Sequence, residues 1–208
     1  MAAQLNRVCS WAASLPASNL PCMLTLDPNA TLILIDLQQA VDHPSWGPRN
    51  HPQAEAVVAT LLAAWREAQR PLIHVRHDSV EPQSTYRPGQ AGHAFKAEAM
   101  PLPGELVVAK QTNSAFIGTK LEECLRKSGV RQLLFVGVST SNSVEATVRM
   151  AGNLGFSTWL IEDACFTFAK RDWGGTWHHA QEVHDLSLAN LHGEYCTVTT
   201  STAVFNAL

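Results

Sequence analysis

The chain has 208 residues, a length that suits one α/β domain or a domain with a short appendage. Apolar residues make up 46% and charged residues 16%, so a sizeable core is expected and disorder is excluded. A formal net charge of -3, with 15 Lys and Arg scattered and no run of four, argues against nucleic acid as an obligate partner.

No apolar stretch approaches the ~18 residues of a membrane span, so no membrane partner is expected. Five cysteines, Cys9, Cys22, Cys124, Cys165 and Cys196, have irregular spacing and no CxxC. That usage points to reduced thiols of a cytoplasmic protein rather than to a disulfide frame or a zinc site. Residues 1–23 are Ala/Ser-rich without a basic region before a longer apolar run, and read as a loosely ordered extension rather than a secretory signal. Residues 24–208 form the expected single domain.

From Thr31 onward, strand and helix signals alternate. Thr31 to Asp36 is an almost continuous apolar run, the pattern of a strand buried on both faces. Val57, Leu61, Leu62 and Trp65 repeat at helical spacing within Ala54 to Gln69. Further strands are predicted at Pro71 to Arg76, Glu105 to Lys110, Gln132 to Val138, Thr158 to Glu162 and Tyr195 to Thr199. Helices are predicted at Leu121 to Ser128, Val144 to Asn153 and Trp177 to Leu191. Such alternation demands right-handed helical crossovers, and so a doubly wound, six-stranded, mainly parallel sheet with helices on both faces. Residues 80–104 interrupt the rhythm with Pro82, Pro88, Pro101, Pro103 and three glycines; a loop of that length suggests a lid or a subunit contact.

In a doubly wound sheet, ligands bind beyond the carboxyl ends of the strands where strand order reverses. Asp36, Lys110 and the run Ser139-Thr-Ser-Asn-Ser143 all fall at strand ends, which brings a carboxylate, an ammonium and hydroxyls toward one crevice. The helix beginning near Val144 would aim its free N–H groups there, a natural oxyanion site. Position alone also allows Asp36 to be an ordinary capping residue.

The segments Leu34-Ile-Asp36-Leu-Gln38, Val-Val-Ala-Lys110 and Gly137-Val-Ser-Thr-Ser-Asn-Ser143-Val-Glu-Ala-Thr, in that order, resemble the isochorismatase-like (cysteine hydrolase) superfamily. The resemblance runs from about Leu24 to the C-terminus and implies a small-molecule hydrolase, one that cleaves amide-type C–N bonds. It implies Asp36 as general base, Lys110 as the lysine beside it, and a non-proline cis peptide at Val138–Ser139. It also implies the amides of Ser139 and Ser143 as the oxyanion donors, and a homodimer or homotetramer. No cofactor is expected; nicotinamidases within the superfamily hold a divalent ion between the first two strands, but the residues here lack that spacing, so no metal is expected either.

Ser143 stands where most members carry a nucleophilic cysteine. A thiol of reference pKa ~8.5 can ionise in advance, whereas a hydroxyl must lose its proton during attack. Three readings stay open: a slower serine nucleophile, vinyl-ether hydrolysis by water as in members with glycine at this place, or an inactive member, native or engineered, that only binds ligand. Cys124, Cys165 and Cys196 read as structural.

Gln38, Trp46, His77, Asn113, Phe116 and Asn142 fall on segments expected to border the crevice and are candidate substrate contacts. Asp42, His43 and His51, spaced by prolines, do not match a metal site. His74 reads as a hydrogen-bonded core residue. His178, His179 and His184 read as one exposed helix face or a subunit contact.

Overall fold

The structure, a computed structural model, describes residues 24–208. The residue 1–23 extension lies outside the described residues. The expected doubly wound architecture is present. Six parallel strands are arranged in the order β3-β2-β1-β4-β5-β8: β1 Thr31–Ile35, β2 Leu72–His77, β3 Leu106–Lys110, β4 Gln132–Val138, β5 Ser157–Phe166 and β8 Thr197–Thr199. Chain order runs outward from β1 to β3 on one side, then returns to β4 beside β1 and proceeds outward again. The switch point therefore lies between the carboxyl ends of β1 and β4.

Every residue of β1 and β4 is buried, as their continuous apolar runs require. Alternate side chains serve opposite layers. Leu32 and Leu34 pack with Val58, Leu61, Leu62 and Trp65 of α1 (Ala54–Glu67), and with Val204 of α5 (Ser201–Ala207). Ile33 and Ile35 pack with Leu121 and Leu125 of α2 (Leu121–Lys127), Val148 and Ala151 of α3 (Glu145–Asn153), and Leu191 of α4 (Ala180–Leu191). The edge strand β3 leaves Leu106 and Val107 exposed.

The larger departures from expectation are two boundaries and one additional helix. The last long helix starts at Ala180 rather than Trp177, because Trp177–His178 (β7) pairs antiparallel with Lys170–Arg171 (β6). The Glu182 carboxylate then accepts the His179 N–H at 2.7 Å, which sets the helix start. Strand β5 runs on to Phe166 and takes in Cys165, with a register shift against β4 between Phe135 and Gly137. Helix α5 was not anticipated; Thr200 caps it, and Asp163 accepts from both the amide and the hydroxyl of Ser201.

The 80–104 segment carries single 3-10 turns at Ala91–His93 and Ala97–Ala99, and folds back so that Lys96 N–H donates to Leu37 O. No described helix is long and apolar enough to cross a membrane.

Candidate active site

Asp36 follows β1 with φ 51, in the left-handed region. A non-glycine residue held there costs about 1–3 kcal/mol and is found where the surroundings over-determine it. Gly137, one residue before the end of β4, has φ 131, and a Cβ there would stand 2.2 Å from Ile35 O. Only glycine lets β1 and β4 approach this closely below the switch point. The next peptide, Val138–Ser139, is cis as the resemblance implied. A π-helical turn, Thr140–Val144, then leads into α3 and carries Ser143.

Lys110 ends β3, two strands away from β1, and spans the gap with its side chain. Its Nζ donates to Asp36 Oδ2 at 2.7 Å, to Ser143 Oγ at 3.3 Å and to Thr112 O at 3.0 Å. His77 Nδ1, on the intervening strand, lies 3.4 Å from the same ammonium. Lys110 is 1% exposed and Asp36 3%. The acid, amine and alcohol expected from three strand ends therefore meet.

Asp36 Oδ1 is buried and has no hydrogen-bond partner among the described residues. Burial raises the Asp36 carboxyl above its ordinary value, against the lowering pull of the Lys110 ammonium, the Ser143 hydroxyl and His77. The His77 imidazole is pushed down, first by burial and then by Lys110, so it is neutral at pH 7.

These groups open on a cavity of ≈ 150 Å³. Asp36, His77, Ser139 and Ser143 form its polar side with Asn113 and Asn142, and Trp46, Tyr86 and Phe168 its aromatic side. Trp46 stacks on Phe168 with centroids 5.1 Å apart and is pinned by Nε1–H donation to Ala40 O at 2.9 Å. Tyr86 comes from the 80–104 segment, which thus reaches its own chain's cavity. Burial raises the Tyr86 phenol further above its ordinary value, so it stays protonated. A larger hollow of ≈ 450 Å³ lies at the other end of the sheet, but its Glu105 is fully engaged by Arg66 and His74, so volume is not the guide to chemistry here.

Two expected contacts are corrected. Gln38 is completely buried, and its amide is consumed by backbone: Nε2 donates to His77 O and His93 O, and Oε1 accepts from His77 N. It clamps β2 and the 80–104 segment to the loop after β1 and does not border the cavity. Phe116 stacks on Phe156 at 6.1 Å and packs on the core of the α2–α3 layer instead. His74 is the expected core histidine, buried with Nε2 2.9 Å from Glu105 Oε2.

His184 does not share an exposed face with His178 and His179. It is 0% exposed, and burial pushes its imidazole down to about 4. Cys165 and Cys196 are buried with thiols pushed up by desolvation, Cys196 to about 12, which makes both poor nucleophiles.

Tyr86, Phe168 and Lys170 were not anticipated. Lys170 Nζ donates to Ser141 Oγ at 2.7 Å and Asn142 Oδ1 at 2.9 Å, so it braces the π-helical turn from outside. Its place just after β5, beside the switch point, was the available signal.

A doubly wound domain with a buried carboxylate, ammonium and hydroxyl at its switch point is the design of a small-molecule hydrolase. The Isochorismatase domain model matches residues 30–203, and the chain belongs to the isochorismatase family of hydrolases. An uncharacterised family protein, YrdC of Bacillus subtilis, is 38% identical over 87% of this chain and 97% of its own. A crystal structure of an isochorismatase-family protein from Chromobacterium violaceum is 64% identical, with a TM-score of 0.88, over 90% of this chain and 98% of that one. A shorter match of 68 residues, 33% of this chain and 27% of the relative, is 41% identical to the ureidoacrylate amidohydrolase RutB of Variovorax paradoxus.

Proposed function

We propose that the protein hydrolyses an amide-type C–N bond in a compact substrate, with Ser143 as nucleophile, Asp36 as general base and Lys110 as the cation between them. The observation that carries this reading is one ammonium within hydrogen-bond distance of both a carboxylate and a hydroxyl that line the same small cavity. At ≈ 150 Å³ that cavity is smaller than a typical ligand cleft of about 300–1,000 Å³, which favours a small guest. The partial likeness to an amidohydrolase favours C–N over vinyl-ether cleavage.

Asp36 takes the Ser143 proton as Oγ attacks the substrate carbonyl. Lys110 keeps the pair of oxygens from repelling one another. The amides of Ser139 and Ser143 hold the oxyanion; one such donor is worth about 2.7–4 kcal/mol of barrier. Collapse breaks the C–N bond, and Asp36 returns the proton to the leaving nitrogen. Water, deprotonated by Asp36, then cleaves the ester, and Ser143 recovers its proton. A raised carboxyl pKa suits this cycle, because a base is most effective when its pKa approaches the working pH.

Initial rates on a panel of small amides and ureido compounds test the reading, with wild type, Ser143→Ala and Ser143→Cys. The expected result is turnover in wild type, its loss in Ser143→Ala, and retained or raised turnover in Ser143→Cys. Full activity in Ser143→Ala would favour direct attack by water. A parent that binds but turns over nothing, while Ser143→Cys is active, would make Ser143 a lesion rather than a nucleophile.

A further inference from the structure

Away from the cavity, a second group of side chains converges from the loop before α1, from β5 and from α4. His51, Glu162 and His184 each bring one ligand-type atom, and these atoms lie within 4.8 Å of one another. The Nε2 atoms of His51 and His184 each stand 3.8 Å from Glu162 Oε2. The two rings meet edge-on with centroids 4.6 Å apart.

The far nitrogens of both rings are already in use. His51 Nδ1 is 2.9 Å from Cys165 O, which can only accept, so Nδ1 carries a proton and, in the neutral ring, Nε2 carries the lone pair. His184 Nδ1 is 2.9 Å from Thr140 Oγ1, while its Nε2 is buried with no hydrogen-bond partner among the described residues. Two imidazoles fixed through one nitrogen, with the other turned toward a shared carboxylate, make the arrangement of ligated histidines.

We propose that His51 Nε2, His184 Nε2 and the Glu162 carboxylate bind a divalent transition-metal ion of the zinc class, with water completing the shell. Tetrahedral zinc with bonds of about 2.0–2.2 Å holds its donor atoms about 3.3–3.6 Å apart, so the two 3.8 Å spacings to Glu162 need to close only slightly, and the pair of nitrogens, within 4.8 Å of each other, closes with them. Two imidazoles select against magnesium and calcium, which prefer oxygen. The His51 and Glu162 side chains are 22% and 31% exposed, which gives an ion a route in, while His184, at 1%, forms the floor. The ion would tie α4, β5 and the loop before α1 to Thr140, the first residue of the turn that carries Ser143. Its role is to position that turn, because none of its ligands lines the active-site cavity.

The test uses the full chain, stripped with chelator and then titrated with Zn²⁺ by calorimetry and with Co²⁺ by visible absorption. The expected result is one ion per chain, a tetrahedral Co²⁺ spectrum, and a melting temperature that rises on saturation with Zn²⁺. Glu162→Gln and His184→Ala should each weaken binding by about tenfold or more, and Thr140→Val by about 10–100-fold through loss of the Nδ1 partner. His178→Ala serves as control, since His178 sits with Asp172 and Glu182 in an exposed cluster that could also attract metal. Absence of binding would overturn the proposal. So would binding that survives Glu162→Gln, checked for a native fold by circular dichroism, but disappears in His178→Ala.

Discussion

The same two strands, β2 and β3, carry an ionic cluster at each end, and the two clusters are opposites. At the amino end, Glu105 accepts from Arg66 Nε at 2.8 Å, Arg66 Nη2 at 2.8 Å and the Leu102 amide at 2.8 Å, with His74 Nε2 at 2.9 Å. Its carboxyl is held down at about 2, chiefly by the Arg66 hydrogen bonds. At the carboxyl end, Asp36 is more deeply buried, keeps one oxygen without a partner, and has its carboxyl raised by desolvation. A carboxylate with both oxygens engaged by donors stabilises the fold and has little reason to take a proton. One left partly unsatisfied in a dry site is poised to take a proton.

Breaking either cluster should destabilise the protein, but only one should silence it. Asp36→Asn is expected to lower kcat/KM by about 10²–10⁴-fold. It should also lower the melting temperature, since Lys110 would lose its buried counter-charge. Gly137→Ala should cost at least about 3 kcal/mol in a denaturant titration, because the added Cβ collides with β1 backbone rather than with a movable side chain. Glu105→Gln should cost about 2–3 kcal/mol by the same titration and leave kcat/KM unchanged.

The two carboxylates also differ in the direction in which the fold moves their pKa. Glu105, lowered from 4.5 to about 2, contributes stability that is complete above pH 4.5 and lost as pH falls toward 2. Glu105→Gln should therefore flatten that part of the acid unfolding curve. Asp36, raised above 3.8, should instead place the acidic limb of the kcat/KM profile above the ordinary carboxylate range. The smallest effect is expected at the cavity wall: Trp46→Phe removes the bond to Ala40 O, worth about 1 kcal/mol, and should raise KM with little change in kcat.

The parallel sheet was legible in the sequence because β1 and β4 are buried on both faces and read as unbroken apolar runs. Asp36, Lys110 and Ser143 could be placed near one crevice because strand ends are where such a sheet opens, but position alone left Asp36 open as a cap, and their roles came from the resemblance. What escaped depends on contacts that no local pattern encodes. Gln38 falls beside the site in sequence, yet its amide goes to the backbone of His77 and His93. His184 looked like part of a surface face because its neighbours Glu162 and His51 are remote in sequence. Helix α5, Ser201–Ala207, is too short to show a convincing period and is held by Val204 packing and by Asp163. Its one local sign was the Thr200 cap.

In the proposed reaction the alcohol at position 143 attacks the substrate carbonyl. Rapid acid quenching of the wild-type enzyme during turnover of its best amide, followed by mass spectrometry of the peptide that contains Ser143, tests it most directly. An acyl group on Ser143 is expected, with none on the corresponding peptide of an inactive Ser143→Ala variant. An unmodified peptide in the working enzyme, together with undiminished turnover in Ser143→Ala, would contradict it.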